Sequence, residues 1–398
     1  MEMNEESILA WNIIEKTNAN LFLTGKAGTG KTTFLKRLKE LSPKRMIVLA
    51  PTGIAAINAG GMTLHSFFQL PFSPYVPGTT FGSGEQKRYQ FSKLKRNIIR
   101  SIDLLVIDEI SMVRSDLLDA VDSVLRQYRK RHDLPFGGVQ LLMIGDLQQL
   151  APVVTPQEEH LLGQHYDTPF FFSSNALKQV GYLTIELKKV YRQQDEQFIS
   201  LLNQIRENKA SEATLQALNQ RYIPNFVPPK EGNYIRLTTH NAPAQYINEQ
   251  QLAALPAQSF SFTAEIEGDF PETSYPADFK LTLKPGAQVM FIKNDPQHRF
   301  YNGMIGEVIG VRTDEDGSKI TVRSKDSGEE FDLEKMEWTN AKYTLNEKTK
   351  EIEETVEGKF MQYPLRLAWA ITIHKSQGLT FEHAIIDASH SFTHGQTY

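Results

Sequence analysis

The sequence predicts an α/β protein of two tandem cores, with a small basic insert in the first and a small β-barrel insert in the second. Three observations carry that expectation. Apolar runs in the first half end in polar tips, as buried parallel strands do when helices cover both faces. A strand–tip–helix pattern returns in the second half, at residues 233–255 and again at 365–389. Between those stretches, "MIGEVIGVRTDEDGSKITVRSKDSGEEFDL" alternates as strands do, with tight turns at Asp316-Gly317 and Ser327-Gly328.

The chain of 398 residues is long enough for two or three cores. Its 40% hydrophobic and 23% charged residues suit an ordered protein. No apolar run approaches the roughly 20 residues of a membrane-spanning helix. The opening "MEMNEESILA" lacks the basic-then-apolar order of a secretory leader. The absence of cysteine excludes disulfides, thiolate catalysis, cysteine zinc sites and iron–sulfur clusters, and suits a cytoplasmic location. A formal charge of −4 argues against a uniformly basic surface but leaves room for a local basic channel.

The first run, Leu21–Leu23, leads into "TGKAGTGKTTFL", which fits Gly-x-x-x-x-Gly-Lys-Thr through Gly25, Gly30, Lys31 and Thr32. The helix that follows is expected to bury Phe34, Leu35, Leu38 and Leu41. Glycines let backbone N–H groups close around phosphates, and the helix N-terminus faces their charge. Ala27, Gly28, Thr29 and Thr33 complete the cradle; Lys31 is expected to reach the β- and γ-phosphates and Thr32 to ligate Mg²⁺. "MIVLAPTG" (46–53) is the next strand, with Thr52 and Gly53 at its tip. "IDLLVIDEI" (102–110) places Asp108 to hold Mg²⁺ and Glu109 to orient or deprotonate the attacking water. "VQLLMIGDLQQLAPV" (139–153) ends in Asp146, Gln148 and Gln149, the last a candidate γ-phosphate sensor.

A small-molecule kinase needs little beyond one core and a lid, whereas here a long chain follows Pro152. A GTPase reads guanine through Asn-Lys-x-Asp, which "FIKNDP" does not match. The second core carries the tips Thr239, His240 and Asn241, and the polar loop His374–Gly378 after a segment read as an apolar helix from Leu365. It has no second phosphate loop, so one core binds the nucleotide and the other closes over it. Arg192, in "LKKVYRQ" near the junction of the cores, is a candidate arginine finger. In "EQKRYQFSKLKRNIIR", Lys87, Arg88, Lys93 and Arg96 interleave with aromatic rings as a DNA-binding strand would require. "LRQYRKRHD" (125–133) reads as plain surface.

Together "GKAGTGKTT", "APTGIAA", "TLHSFF", "VIDEISM", "GDLQQLAPV", "VYRQ" and "AITIHKSQGLTF" resemble the Pif1 helicases of superfamily 1B, relatives of the RecD helicases, from about Asn20 to Tyr398. The resemblance implies two tandem RecA-like P-loop NTPase cores with a small basic insert in the first and an SH3-like β-barrel insert in the second. The expected divisions are 1–69 and 93–180 for the first core, 70–92 for its wedge insert, 181–296 and 361–398 for the second core, and 297–360 for the barrel. It implies an ATP-dependent, Mg²⁺-requiring helicase, expected to be monomeric, that moves 5′ to 3′ on single-stranded DNA and opens duplexes, forks and structured DNA. It assigns Lys31 and Thr32 to phosphate and Mg²⁺, Asp108 and Glu109 to metal and water, Gln149 to sensing and Arg192 to the finger. Thr52, His65, Thr239, His374 and Lys375 fall on the DNA track, with Gly53, His240 and Asn241 beside them. Gln377 and Gly378 couple the track to the nucleotide.

Two departures qualify the resemblance. No glutamine precedes Gln69 to read adenine, leaving Asn4 as a substitute. The sequence stops at "THGQTY", where relatives continue into a V-A-L-S-R element bearing a second phosphate-contact arginine. The expectation is a shortened second core that binds nucleotide but couples hydrolysis poorly to unwinding. The sequence leaves three alternatives open: a translocase or RecD-type subunit of a nuclease complex, a non-enzymatic nucleotide switch on nucleic acid, and a kinase whose turnover would ignore DNA.

Overall fold

The computed structural model describes residues 4–71, 73–77, 91–189, 195–224, 226–229, 232, 234–297, 299–314, 317–345, 352–377, 379, 381, 383–387 and 390–391. It divides into a first unit of Met1–Asn208 with Ala341–Thr355 and Tyr398, and a second of Lys209–Asn340 with Val356–Thr397.

In the first unit the elements run α1 (Glu5–Lys16), β1 (Leu21–Gly25), α2 (Lys31–Leu41), β2 (Met46–Ala50), α3 (Gly53–Ala59), β3 (Met62–Thr63), α4 (Leu64–Phe68) and α5 (Lys93–Ser101). There follow β4 (Leu104–Ile107), α6 (Ser115–Arg129), β5 (Gln140–Ile144), α7 (Pro156–Leu162), α8 (Asn175–Val180), β6 (Leu183–Leu187) and α9 (Glu196–Arg206). The six strands form one sheet in the order β3-β2-β4-β5-β1-β6, every pair parallel. The unbroken apolar runs of the sequence follow from this, because both faces are covered. Phe22, Ile47, Leu49, Leu105, Ile107, Leu141 and Met143 pack under α4, α5, α6 and α8. Their neighbours Leu21, Leu23, Val48, Leu104, Val106, Leu142 and Ile144 pack under α1 and α2. Since all strands are parallel, the segments after β1, β2, β4 and β5 share the carboxyl edge, where α/β sheets bind ligands.

Charged groups fasten this unit. The Arg45 guanidinium donates to both Asp103 oxygens at 2.7 Å, tying the amino-terminal ends of β2 and β4. Asn4 serves as the cap of α1, its side-chain oxygen accepting the Ser7 N–H. The basic run read as plain surface is more than that. Arg129 donates to the carbonyls of Ile99, Ile102 and Gly137, and Arg126 pairs with Asp122. Their stems are long enough to reach carbonyls at element ends that a sequence window does not show.

The second unit contains α10 (Glu212–Asn219), β7 (Tyr234–Thr238), α11 (Asn241–Ala254), β8 (Phe260–Thr263), β9 (Glu265–Gly268), β10 (Lys280–Leu283) and β11 (Gln288–Phe291). It continues through β12 (Ile305–Asp314), β13 (Gly317–Ser324), β14 (Glu330–Leu333), the portions of β15 (Met336–Leu345) and β16 (Ile352–Gln362) outside Ala341–Thr355, β17 (Leu365–Leu367), β18 (Ala370–Thr372), α12 (Ile373–Ser376) and β19 (His383–Ile386). β18-β7-β19 is a parallel sheet, and β14-β13-β12-β11-β17 is antiparallel. Buried Gln288 links them: its amide donates to Tyr234 and Ala368 carbonyls and accepts from Lys325. The smaller β8–β10 and β15-β16-β9 sheets complete the unit.

The segment from Leu365 is strand, not the apolar helix its composition suggested. β17 pairs with β11 and β18 with β7, while Asn248 on α11 both donates to the Ala370 carbonyl and accepts its N–H. A short apolar run has no periodicity to separate the two states, and pairing partners far along the chain decide.

Phe67 is fully buried on α4. Phe67→Ala should therefore cost the protein about 3–5 kcal/mol in urea unfolding. Phe198→Ala, at a ring 42% exposed on α9, should cost under about 0.5 kcal/mol. Equal losses would contradict the packing described.

Candidate functional site

The phosphate cradle forms where β1 stops. Gly25 admits no side chain: a Cβ there would lie 2.6 Å from the Leu187 carbonyl oxygen and 2.7 Å from Thr29 Oγ1. Gly28 and Gly30 take φ of 75° and 95°, the left-handed region that favours glycine. Buried Thr29 braces the loop by donating its hydroxyl to the Lys26 carbonyl at 2.8 Å. Gly30 caps α2 without a side chain, so no side-chain oxygen competes for the N–H groups of the first turn. Thr32 and Thr33 are exposed on that turn, and Ala27 is exposed in the loop.

Lys31 lies across the loop, donating to the carbonyls of Gly25 at 2.6 Å and Lys26 at 3.0 Å. Burial pushes its ammonium below the ordinary lysine range; Asp146 and then Glu109 pull it back up, Arg206 opposes them, and Asp108 adds a smaller upward pull. Asp108 follows β4 and is pushed above the usual carboxylate range by burial, against the Glu109 N–H it accepts and the nearby Lys31 charge. Glu109 has φ of 51°, uncommon for a residue with a side chain and a conformation that costs of order 1–3 kcal/mol. Gly145, at the end of β5, lets the next strand end approach: a Cβ there would stand 2.9 Å from Ile110 Cγ2.

Asp146 is 1% exposed and collects three donors. Its Oδ1 accepts the Gln148 N–H at 3.1 Å, and its Oδ2 accepts Gln149 Nε2 at 3.0 Å and Arg206 Nη1 at 2.5 Å. Sequence reasoning missed Arg206. In "LLNQIREN" it reads as the solvated end of an amphipathic helix; the one available signal was a polar Asp146 at a strand tip with no cation in its own motif.

Elsewhere in the first unit, the Thr52 hydroxyl accepts the Ala55 N–H beside Gly53, the first residue of α3. Half-buried His65 sits on a small cavity, lined also by Tyr75, Arg114 and Asp116. Burial and then Arg114 hold its imidazole below the ordinary histidine range, against the pull of Asp116. Lys93 and Arg96 are exposed on α5, whereas Lys95 turns inward, its ammonium 3.3 Å from the Phe67 ring centroid. Lys87, Arg88, Arg192 and Gly378 lie outside the described residues.

In the second unit β7 and β18 run parallel side by side, so their tips meet. Thr239 Oγ1 and His240 Nδ1 are 2.8 Å apart, and Asn241 opens α11. His374 and Lys375 occupy the single turn of α12, which Gln377 ends. Burial, with His240 nearby, depresses His374; burial and then Arg366 depress Lys375, against Asp278. The structure thus gathers Lys31, Asp108, Glu109 and Gln149 in one unit, and Thr239, His240, His374 and Lys375 in the other.

A family model described as PIF1-like helicase matches residues 3–216. The ATP-dependent DNA helicase Pif1 of Bdellovibrio bacteriovorus is 32% identical over 405 residues, covering 100% of this chain and 84% of the relative. The chain spans 64% of the Psychrobacter Pif1 and 58% of human PIF1. A crystal structure of Bacteroides sp Pif1 in complex with ADP-AlF4 is 44% identical, with a TM-score of 0.90 over 100% of this chain and 89% of that one. A Bacteroides Pif1 complex with ADP-AlF3 and ssDNA is 43% identical, with a TM-score of 0.68 over 100% and 89%.

Gly25→Ala must displace either Leu187 or Thr29. It should weaken ADP binding by about tenfold or more in an equilibrium fluorescence titration, the scale of one overpacked contact. Affinity within twofold of the parent would show that the cradle is not where the phosphates sit.

Proposed function

The chain belongs to the PIF1-like helicase family, and we propose that it hydrolyses ATP to move 5′ to 3′ along single-stranded DNA and to unwind forked or structured DNA. The observation that carries this reading is the meeting of Lys31, Asp108, Glu109 and the Asp146–Gln149 turn at one carboxyl edge. The Lys31 ammonium is held by two neutral carbonyls, which it can exchange for the β- and γ-phosphates. Glu109 orients the attacking water and takes its proton. Gln149 reports the γ-phosphate, and Arg192 acts as the finger.

The oxygen donors fit Mg²⁺, since the hydroxyl of exposed Thr32 and the carboxylate of Asp108 are hard ligands at the cradle. Among the described residues no group of three His, Asp or Glu is arranged for a metal. Mg²⁺ would supply neutralisation of charge on the β- and γ-phosphate oxygens.

Thr52, Gly53, His65, Lys93 and Arg96 serve as the DNA grip of the first unit, with Lys87 and Arg88 on the basic insert. Thr239, His240, Asn241, His374 and Lys375 serve as that of the second. Hydroxyls, imidazoles and ammonium groups suit the phosphate–sugar backbone and carry no sequence preference. Gln377 and Gly378 couple the second grip to the nucleotide. Residues 70–92 act as a wedge, and 297–360 form the SH3-like insert, a reading supported by the antiparallel β12–β14 meander. The two RecA-like cores take up the rest; because β6 lies in the first sheet and α9 in the first unit, the first core runs on past 180, where the sequence division had ended it, and the second begins after Asn208. No helix among the described residues is long and apolar enough to cross a membrane; work on DNA in the cytoplasm belongs to the same reading.

The test is ATP-dependent strand displacement on forks with a single 5′ or a single 3′ loading tail. Displacement from the 5′ tail alone is expected, and none from either would overturn the reading. Glu109→Gln should slow turnover by roughly 10²–10⁴-fold, while ATP and DNA affinities stay near those of the parent. Unchanged turnover would remove Glu109 from the chemistry.

A further inference from the structure

Lys31 presents an anomaly. Asp146, Glu109 and Asp108 all act on its charge, Asp146 most strongly. Yet among the described residues no carboxylate forms an ion pair with it, and its ammonium is satisfied by two neutral carbonyls. A buried ammonium among carboxylates would ordinarily close on one of them. Asp146 is instead engaged by Arg206, the last residue of α9, at 2.5 Å, and the two side chains are only 11% and 1% exposed.

We propose that Arg206 is a positioning residue of the hydrolytic site: by neutralising Asp146 it keeps that carboxylate off Lys31 and leaves the lysine available to the nucleotide. The inference rests on the ATP-hydrolysing reading above and adds a residue to it. ATP brings several negative charges to an edge that already holds three carboxylates. Without Arg206 those carboxylates would outweigh Lys31 and repel the substrate, and burial magnifies the repulsion. Arg206 removes the largest of these contributions.

It does so without blocking the loop. Asp146 Oδ2, the oxygen that binds Arg206, also accepts Gln149 Nε2 at 3.0 Å. The ion pair therefore fixes the carboxylate on which Gln149 rests. Without the guanidinium, Asp146 would be a buried, uncompensated charge, the costly half of a broken pair. Lys31 is the cation through which it could regain compensation. The lysine would then be withheld from phosphate, and the Gln149 contact would move with the carboxylate.

The experiment measures nucleotide affinity and steady-state hydrolysis with saturating single-stranded DNA for the parent, Arg206→Gln, Asp146→Asn and the double variant. Arg206→Gln should raise the Kd for ADP and the KM for ATP by about thirtyfold or more, the lower range for breaking a buried pair. kcat should change by less than about threefold, because the loss falls on binding rather than on the transition state. Adding Asp146→Asn should bring both constants back to within about threefold of the parent, since asparagine keeps an acceptor for Gln149 but no charge to neutralise. Arg206→Lys should fall between. A drop in kcat at constant KM, with no rescue in the double variant, would overturn the proposal and make Arg206 a transition-state contact. Unfolding at lower temperature, again without rescue, would also overturn it and leave Arg206 a brace of α9. Unchanged Kd in Arg206→Gln would overturn it as well. A parent that binds ADP but shows no DNA-stimulated hydrolysis would sink the helicase reading, and the Kd series would still decide this one.

Discussion

Backbone N–H groups can surround a polyphosphate only where a chain turns without side chains between a rigid strand and an open helix end. Gly25 to Gly30 meets that constraint, and much of the first unit follows from it. β1 must be buried on both faces to hold the turn still, so it lies inside a parallel sheet with helices on either side. Parallel strands align their carboxyl ends, which brings Asp108, Glu109 and Asp146 to the same edge from distant parts of the sequence. Gly145 and the left-handed Glu109 are local consequences: strand ends converge tightly enough that one position loses its side chain and another takes a strained backbone.

A cradle for anions among carboxylates is an electrostatic contradiction, resolved here by pairing. Asp108 accepts the Glu109 N–H, and Asp146 gathers Arg206 with two groups of its own turn. Lys31 is left on carbonyls, a weaker hold than an ion pair and one that phosphate can displace. The second unit handles charge differently. Burial and then nearby His240 depress His374, and burial and then Arg366 depress Lys375, so the tip is a partly desolvated donor surface. On the proposed reading, such a surface would hold a nucleic-acid backbone without requiring a strongly basic protein, in keeping with the net −4.

Much of this was legible in the residues. The Gly-x-x-x-x-Gly-Lys-Thr spacing sat between an apolar run and a helical one, and the structure has β1 and α2 there. Phe34, Leu35 and Leu38 are buried as their spacing required, while Leu41, in the last turn, is 58% exposed. Strand tips were readable because a buried run that ends in polar residues has few other meanings. What could not be read was long-range pairing. Leu365–Thr372 has apolar content without period, and only β7, β11 and Asn248 make it strand. Arg206 is separated from Asp146 by 60 positions, and neither carries a local mark of the other. Arg129 was misread for the same reason, its partners being the carbonyls of Ile99, Ile102 and Gly137 rather than a motif, whereas the Arg126–Asp122 pair, four residues apart, was within reach of the sequence.

The central claim is that the Lys31 cradle spends ATP in response to DNA. The most direct measurement is the steady-state rate of ATP hydrolysis with and without saturating single-stranded DNA, with Lys31→Ala as the blank. The account predicts a low rate without DNA, a rise of an order of magnitude or more with it, and none of that rise in the variant. Hydrolysis that ignores DNA, or that survives loss of Lys31, would contradict it.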